Sequence, residues 1–433
     1  MTFKFSHVAD LHLGGWRRET LNEVGYETFK KIIDKSIEEK VDFFIISGDL
    51  YDVSNPQVEV VDLATKQLKR LKDNGISVFG IMGSHDFSPS NKSMIRPLIS
   101  AEFFVNISKP QWDDSNDKYP LKLDFFEEPN TEIKLAGMRA RKRSLEIEDY
   151  QKLNRDYLEG EPGSKIFVLH TMLQELRPKE YKEMKAAGKS LLPKGFLYYA
   201  GGHIHKTIPE ELRKEGKFVI KKDDDLERKV IYPGAIFPTN FRELEGDKYG
   251  GFCIVSGDDN ELEIEYIPIK IRDVVSITID ASNKTVQKVR EIIDEKIKNV
   301  DFTDKIVTVR VEGYLKSGKS FEVKANEIVR KIRRKGAYEV LVNKSHLYSQ
   351  EYDSVRVDTS ESTEEIEKRL VHEHAQKSNL KGISKEKMEE KIYALLEEIG
   401  REENPGEKKK NYKRKVLQAF YDIMEIPKEE DEF

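Results

Sequence analysis

Cysteine is almost absent: the 433 residues contain one, Cys253. A single thiol excludes an internal disulfide framework and fits a reducing compartment. Long apolar runs are missing as well, and none approaches the roughly 18–20 residues that span a bilayer. No leader with charged, apolar and cleavable parts precedes "FKFSHVADLHL", so a soluble, cytoplasmic protein is expected. A net basic charge is also lacking. Lys and Arg number 74 against 79 Asp and Glu, for a net charge of −5 and a pI near 6.1. The whole chain therefore carries no nucleic-acid signature, and any anion binding must come from local basic patches or metals. No internal repeat is visible.

What is present suffices for a large core: 38% hydrophobic residues, 18 Tyr and 21 Phe. The length corresponds to about two to four domains. Residues 3–13 read as a strand, 24–39 as an amphipathic helix, 41–50 as a buried strand, 59–73 as a helix and 76–83 as a strand. That alternation predicts an α/β domain containing parallel strands. Further strands are expected at 132–140, 165–172, 196–205, 229–237 and 251–257. Residues 273–345 read as a small α+β domain of strand, helix, strand, helix and strand. Ser362-x-x-Glu365 is a capping box that opens a charged helix. Two amphipathic helices follow. One carries Met388, Ile392, Leu395, Leu396 and Ile399, the other Val416, Leu417, Phe420, Tyr421 and Met424. Lying beyond any large core, such stripes need each other or a partner.

Nine histidines are unevenly placed. His12, His85, His170, His203 and His205 fall at or just after the ends of expected strands, as do Asp10 and Asp49. In open α/β sheets, functional groups gather outside the carboxyl ends of the strands. Asp10-x-His12 and His203-x-His205 are two residues apart, which on extended backbone puts both side chains on one side. Imidazoles and carboxylates with almost no thiols suit Mn²⁺, Fe²⁺ or Zn²⁺. Two such cations about 3.5–4 Å apart can activate water and neutralise a phosphate. Each strand-end group alone is more often a turn or a solvated residue; five segments in compatible order are not. His7 is out of phase with Asp10 and His12 and reads as a core or supporting group.

The ordered set "ADLHLG" (9–14), "SGDLYD" (47–52), "GSHD" (83–86), "VLHTM" (168–172) and "GGHIH" (201–205) resembles the calcineurin-like metallophosphoesterases. With "LYYAGGHIHK" and "VIYPGAI", it is similar to the Mre-eleven/SbcD family of double-strand-break repair nucleases, archaeal-type. The resemblance implies a layered β-sandwich flanked by helices at 1–268, a DNA-capping domain at 269–345, a linker with a helix at 346–383, and a partner-binding helical hairpin at 384–427. It implies one metal on Asp10, His12, Asp49 and His205, and a second on a bridging Asp49, position 84, His170 and His203. His85 would meet the scissile phosphate, with Asp86 holding its ring, while activated water attacks in line. Two positions depart from the pattern. Ser84 stands where asparagine is usual, which weakens the hold on the second metal. Asp52 stands where archaeal members often have His, so its part in catalysis is open.

By the same resemblance, the chain is a Mn²⁺-dependent DNA nuclease with 3′–5′ exonuclease and endonuclease action. It would be a homodimer, nucleoid-associated, acting on double-stranded DNA ends with an SMC-like Rad-fifty/SbcC ATPase. Arg139, Arg141, Lys142 and Arg143 form the densest short basic cluster of the catalytic region. Residues 93–105 offer an apolar stripe that serves either a dimer or a core. Two alternatives stay open: a phosphatase or small phosphodiesterase on the same scaffold, and a DNA-end scaffold with catalysis weakened by Ser84.

Overall fold

The computed structural model describes residues 2–88, 92–113, 115, 118–182, 184–349, 371–372, 375, 384–400 and 409–425. The chain divides into two compact units between Ser349 and Gln350.

In the first unit, apolar runs form strands β1 (Phe3–Val8), β2 (Phe43–Ile46) and β3 (Ser77–Gly80). They pair in parallel, with Phe5 opposite Phe43 and Phe43 opposite Ser77. Parallel neighbours need long crossovers, supplied by helices α1 (Glu19–Glu38) and α2 (Val58–Asp73). Gly250–Gly257 pairs antiparallel with β1 on the other side, and Glu261–Ile269, Lys217–Lys221 and, beside β3, Val105–Asn106 extend this into a seven-stranded sheet. A second sheet orders its five strands Val230–Ile231, Tyr198–Gly202, Lys165–His170, Lys134–Met138 and Phe126–Glu127.

The side-chain period of two explains the layering. Phe5, Phe43, Ile45 and Phe79 face Leu135, Ile166, Val168 and Tyr198 across the gap between the sheets. The Phe5 ring stacks on Phe43 at 4.9 Å and meets Tyr198 edge-on at 5.3 Å. On the other face, Val8, Phe44 and Ile46 pack on Phe29, Ile32 and Leu68 of α1 and α2. The outer face of the second sheet puts Phe167, Leu169 and Tyr199 against Tyr150 and Leu158 of two short helices. The result is the helix-flanked β-sandwich expected from the motifs.

Three expectations change. The strand at 3–13 ends at Val8, because Asp10 and His12 leave extended geometry. The strand at 229–237 shrinks to Val230–Ile231, preceded by a helical turn. In the stripe at 93–105, only Arg96–Ser100 is helical; Ile95 and Leu98 are buried, and Met94, Ile99 and Phe103 pack on the same core. Much of that apolar stripe therefore packs within this chain, as the core alternative expected.

Val274–Asp280, Ile306–Leu315 and Glu339–Asn343 form a small sheet in which every pair is parallel. Helices Val286–Lys298 and Ala325–Arg333 cover it with Val289, Ile293, Ile328 and Ile332. This is a βαβ arrangement rather than the α+β layout expected. It docks on the sandwich: Val274 and Ile306 join the core beneath α1. The buried Glu339 carboxylate accepts from Arg18 Nη1 (3.0 Å), Thr20 Oγ1 (2.7 Å) and Arg333 Nη2 (2.8 Å).

In the second unit, helices Lys385–Gly400 and Lys409–Met424 pack together, with Met388 buried and Lys391 reaching the Ile423 carbonyl and Glu425. Ile392, Leu395, Tyr421 and Met424 are half-buried, whereas Leu396, Leu417 and Phe420 are exposed. The side chains of Ile399 and Val416, and the capping box at 362–365, lie outside the described residues. Among the described residues, no helix is long and apolar enough to cross a membrane.

The inter-sheet core generates a stability prediction. Phe5→Ala leaves a cavity at the Phe43–Tyr198 contact and should cost about 3–5 kcal/mol. Chemical denaturation should show a clearly lower midpoint; an unchanged midpoint would contradict this packing.

Candidate metal centre

β1, β2 and β3 run parallel, as do Lys165–His170 and Tyr198–Gly202, and their carboxyl ends deliver polar groups to one rim. Strand alternation does not do the aiming, which corrects the expectation for the two paired motifs. Asp10 (φ 50°), His12 (φ 43°), Asp49 (φ 52°) and His203 (φ 86°) all lie in the left-handed region. That region is sparse for residues with side chains, costs about 1–3 kcal/mol each, and clusters at functional sites. Backbone bonds hold these turns, with Asp10 N donating to Gly48 O (3.2 Å) and His12 N to Asp49 O (3.0 Å).

The side chains converge. Ligand atoms of Asp10, His12 and His205 lie within 4.8 Å of one another, as do those of Asp10, Asp49 and His170, and those of His12, Asp52 and His85. Asp49 Oδ2 sits 3.7 Å from His12 Nε2 and 3.2 Å from His170 Nε2. Asp10 belongs to two of the groups, so both carboxylates are placed to bridge. The His203 ring lies 5.2 Å from that of His170, and its backbone N–H donates to both Asp10 oxygens at 2.9 and 3.0 Å.

Glycines keep the space open. A Cβ on Gly83 would stand 2.2 Å from Asp49 Oδ1 and 2.3 Å from Asp49 N. At Gly48 (φ 95°), a Cβ would meet His170 Nδ1 at 2.3 Å.

Supporting hydrogen bonds fix the imidazoles. His170 Nδ1 donates to Ser47 O (2.7 Å), which directs Nε2 at the cluster. That Nε2 is buried and, among the described residues, has no well-formed hydrogen bond, with Asp49 Oδ2 3.2 Å away. A buried nitrogen lone pair or proton left without a partner is costly, and a divalent cation between it and the carboxylates would satisfy it. His12 Nδ1 meets Asp52 Oδ1 at 3.1 Å, and His205 Nδ1 donates to Glu243 Oε1 at 2.9 Å. These are the partners that metal-bound histidines require. His12 Nε2 and His205 Nε2 face each other at 3.1 Å, an arrangement suited to a shared cation. The residues present therefore fit divalent metals.

Electrostatics agree. Burial opposes charging His170, but the Asp49 and Asp10 carboxylates and the Ser47 carbonyl outweigh it and raise its pKa well above the usual imidazole range. Burial likewise opposes charging His205, yet Glu243 and Asp10 bring it up to about 8. Burial and the His170 charge push His203 down to about 4. His7 lies fully buried beneath the rim between Tyr198 OH and Ser47 Oγ, both at 2.8 Å, and burial takes it down to about 3.

Asp86 differs from expectation. It does not hold His85. It is buried and accepts from Leu50 N (3.3 Å), Tyr51 N (3.0 Å) and Gly83 N (2.9 Å), bracing the Asp49 turn against the Gly83 turn. The His85 ring instead donates Nδ1 to the Asp52 carbonyl (2.6 Å), and its backbone N–H donates to Asp49 Oδ1 (2.8 Å). Asp52 thus serves two histidines. Ser84 is half-buried between these anchored neighbours. Of the basic cluster, Arg139 lies over the Phe87 ring and Lys142 is exposed. Arg141 pairs with Asp149 at 2.9 Å. The Arg143 side chain lies outside the described residues. Sequence reasoning missed Glu243; its only signal was Asn240-x-x-Glu243, a helix start whose side chain gives no hint of His205.

The family model described as calcineurin-like phosphoesterase matches residues 3–207. The DNA double-strand break repair protein Mre11 of Sulfurisphaera tokodaii is 30% identical over 299 residues, covering 66% of this chain and 69% of the relative. The proteins of that name from Sulfolobus acidocaldarius and Methanocaldococcus jannaschii are each 29% identical, over 301 and 304 residues. Each alignment covers 68% of this chain, and 71% and 74% of the relatives respectively.

Two outcomes are expected. Gly83→Ala drives a methyl into the Asp49 backbone and should abolish high-affinity binding of divalent metal by calorimetry, while Gly160→Ala, in open space, leaves it intact. Equal affinities would refute the crowding at Gly83. Metal must also displace protons from His170 and His205, so affinity should rise as pH increases from about 6 to about 8, with proton release visible in buffers of different ionisation enthalpy. A pH-independent affinity would count against these histidines as ligands.

Proposed function

Because the chain belongs to the Mre11 family of DNA double-strand break repair proteins, we propose that it is a Mn²⁺-dependent DNA nuclease, 3′–5′ exonuclease and endonuclease, that processes broken DNA ends. The observation that carries this reading is the convergence of Asp10, Asp49, His12, His170, His203 and His205 around a buried imidazole nitrogen that has no well-formed hydrogen bond among the described residues.

In this reading, Asp10, His12, Asp49 and His205 hold one cation, and Asp49, Ser84, His170 and His203 hold the other. Two divalent cations at these groups supply water activation and neutralisation of phosphate charge. The chain does the rest. Asp52 orients His12 through its carboxylate and His85 through its carbonyl. His85 is 47% exposed at the rim, fixed at Nδ1, so its Nε2 is the group offered to the phosphate or to the departing oxygen. Asp86 keeps the two ligand-bearing turns in register and does not touch substrate.

DNA contact is supported locally rather than globally. Arg139 lies beside the His85 segment through Phe87, and Lys142 is exposed nearby. A groove of about 640 Å³ next to His205 is lined by Arg177, Lys179, Lys206, Arg213 and Lys214, some of them paired with acidic neighbours. The small parallel sheet is the proposed DNA-capping domain. The terminal helices are proposed to dock a Rad-fifty/SbcC ATPase, a reading supported by the exposed Leu396, Leu417 and Phe420. A homodimer belongs to the same proposal.

Ser84 favours a second reading, a DNA-end scaffold with a weak second metal, because a short neutral hydroxyl replaces a carbonyl ligand. One assay separates the readings. The protein and its Asp49→Ala variant are incubated with Mn²⁺ and linear duplex DNA, then with a generic aryl phosphate. The nuclease reading predicts DNA degradation that falls at least about 100-fold in the variant, since a bridging ligand is lost. Aryl phosphate turnover alone would favour a phosphatase, and DNA binding without either activity the scaffold. Ser84→Asn should raise metal affinity or rate; no change would show the serine to be sufficient.

A further inference from the structure

Helix Phe241–Gly246 joins two parts of the first unit that the proposed chemistry treats separately. On one side, Glu243 Oε1 accepts from His205 Nδ1 at 2.9 Å, and Oε2 is fixed by Thr239 N (2.8 Å) and Thr239 Oγ1 (2.9 Å). On the other side, Glu245 Oε2 accepts from Arg310 Nε (2.9 Å) and Nη2 (2.7 Å), and the Glu245 carbonyl accepts from Ser276 Oγ (3.1 Å). Arg310 and Ser276 belong to adjacent strands of the small sheet. Just past the helix, Asp247 takes Lys206 Nζ at 2.7 and 2.8 Å, and Lys206 follows His205 directly.

The helix is thus tied to the small sheet at two points and to the His205 loop at two others. A carboxylate on Nδ1 fixes the ring orientation and tautomer that Nε2 presents to a cation. A two-point Arg–carboxylate contact resists rotation as well as separation. Arg310 and Glu245 are largely shielded, with side chains 16% and 19% exposed, so their contact is not a loose surface pair. The Arg310 guanidinium also lies 5.1 Å from the Phe241 ring, bracing the first residue of the helix.

We infer that this helix is a mechanical link: the placement of the small sheet, acting through Arg310 and Glu245, sets how Glu243 aims His205, so that Glu243 is a positioning residue for a divalent cation at that histidine. The inference rests on His205 being a metal ligand. Displacing the small sheet loosens the cation at His205 without touching any ligand, which ties catalytic competence to the position of the surface proposed to cap DNA.

The test uses the full chain and Mn²⁺, with free ion followed by electron paramagnetic resonance. Glu243→Gln should weaken one Mn²⁺ site by about 10–100-fold. Arg310→Met should weaken the same site by about 2–30-fold. The double variant should bind no more weakly than Glu243→Gln alone, because both act along one path. Should Arg310→Met disturb folding by circular dichroism, Glu245→Gln removes the ion pair while keeping an acceptor and should show the same loss. Unchanged Mn²⁺ affinity in Arg310→Met and Glu245→Gln, or additive losses in the double variant, would overturn the link while leaving the metal site standing. A parent protein that binds no Mn²⁺ would overturn the metal reading and the link together.

Discussion

Two carboxylates buried side by side set the terms for the catalytic unit. Asp10 and Asp49 are almost wholly shielded from water and share His170 within ligand distance. Burying a charge costs on the order of several kcal/mol per ion unless it is compensated. Among the described residues, no Lys or Arg ion pair reaches either carboxylate; the charged partners they have are imidazoles. Such a site is held together by positive charge that protons on His170 and His205 supply in part, and that divalent cations supply fully. The depressed Asp49 and the raised His170 express that demand: burial opposes both, and mutual attraction wins.

The fold is organised to bear this cost. The large inter-sheet core of Phe5, Phe43 and Tyr198 fixes the strands, whose ends then tolerate left-handed turns at Asp10, His12, Asp49 and His203. Glycines at 48 and 83 clear room for the His170 ring and the Asp49 carboxylate. A layer of groups that never meets substrate sets the ring orientations: Ser47 for His170, Asp52 for His12 and Glu243 for His205. Asp86 spends its carboxylate on three backbone N–H groups, joining the turn after Asp49 to the turn at Gly83. The same unit extends to the small sheet through Glu339 and Arg310, so catalytic rim and flanking sheet share one framework.

Much of this was legible in the order of residues. Continuous apolar runs such as "FFII" identified strands buried on both faces, and helical spacing located α1 and α2 to within a few residues. The histidines and aspartates at strand ends marked the rim, because parallel strands bring their carboxyl ends together. The manner of aiming was not legible. Spacing of two suggested extended backbone at Asp10-x-His12, whereas tertiary hydrogen bonds to residues 48–50 impose left-handed turns there. Adjacency suggested that Asp86 serves His85, yet the open N–H groups of Leu50, Tyr51 and Gly83 claim it. Glu243 and Asp52 act across 38 and 40 residues of chain, a range at which local pattern carries no information.

The central claim is that this rim is built to hold two divalent cations around the Asp10 and Asp49 carboxylates. Anomalous diffraction from crystals soaked in Mn²⁺ tests it most directly. The account predicts two anomalous peaks, one among Asp10, His12 and His205 and one beside Asp49, His170 and His203, with the second weaker because of Ser84. No peak within the cluster, or peaks only at surface carboxylates, would contradict it.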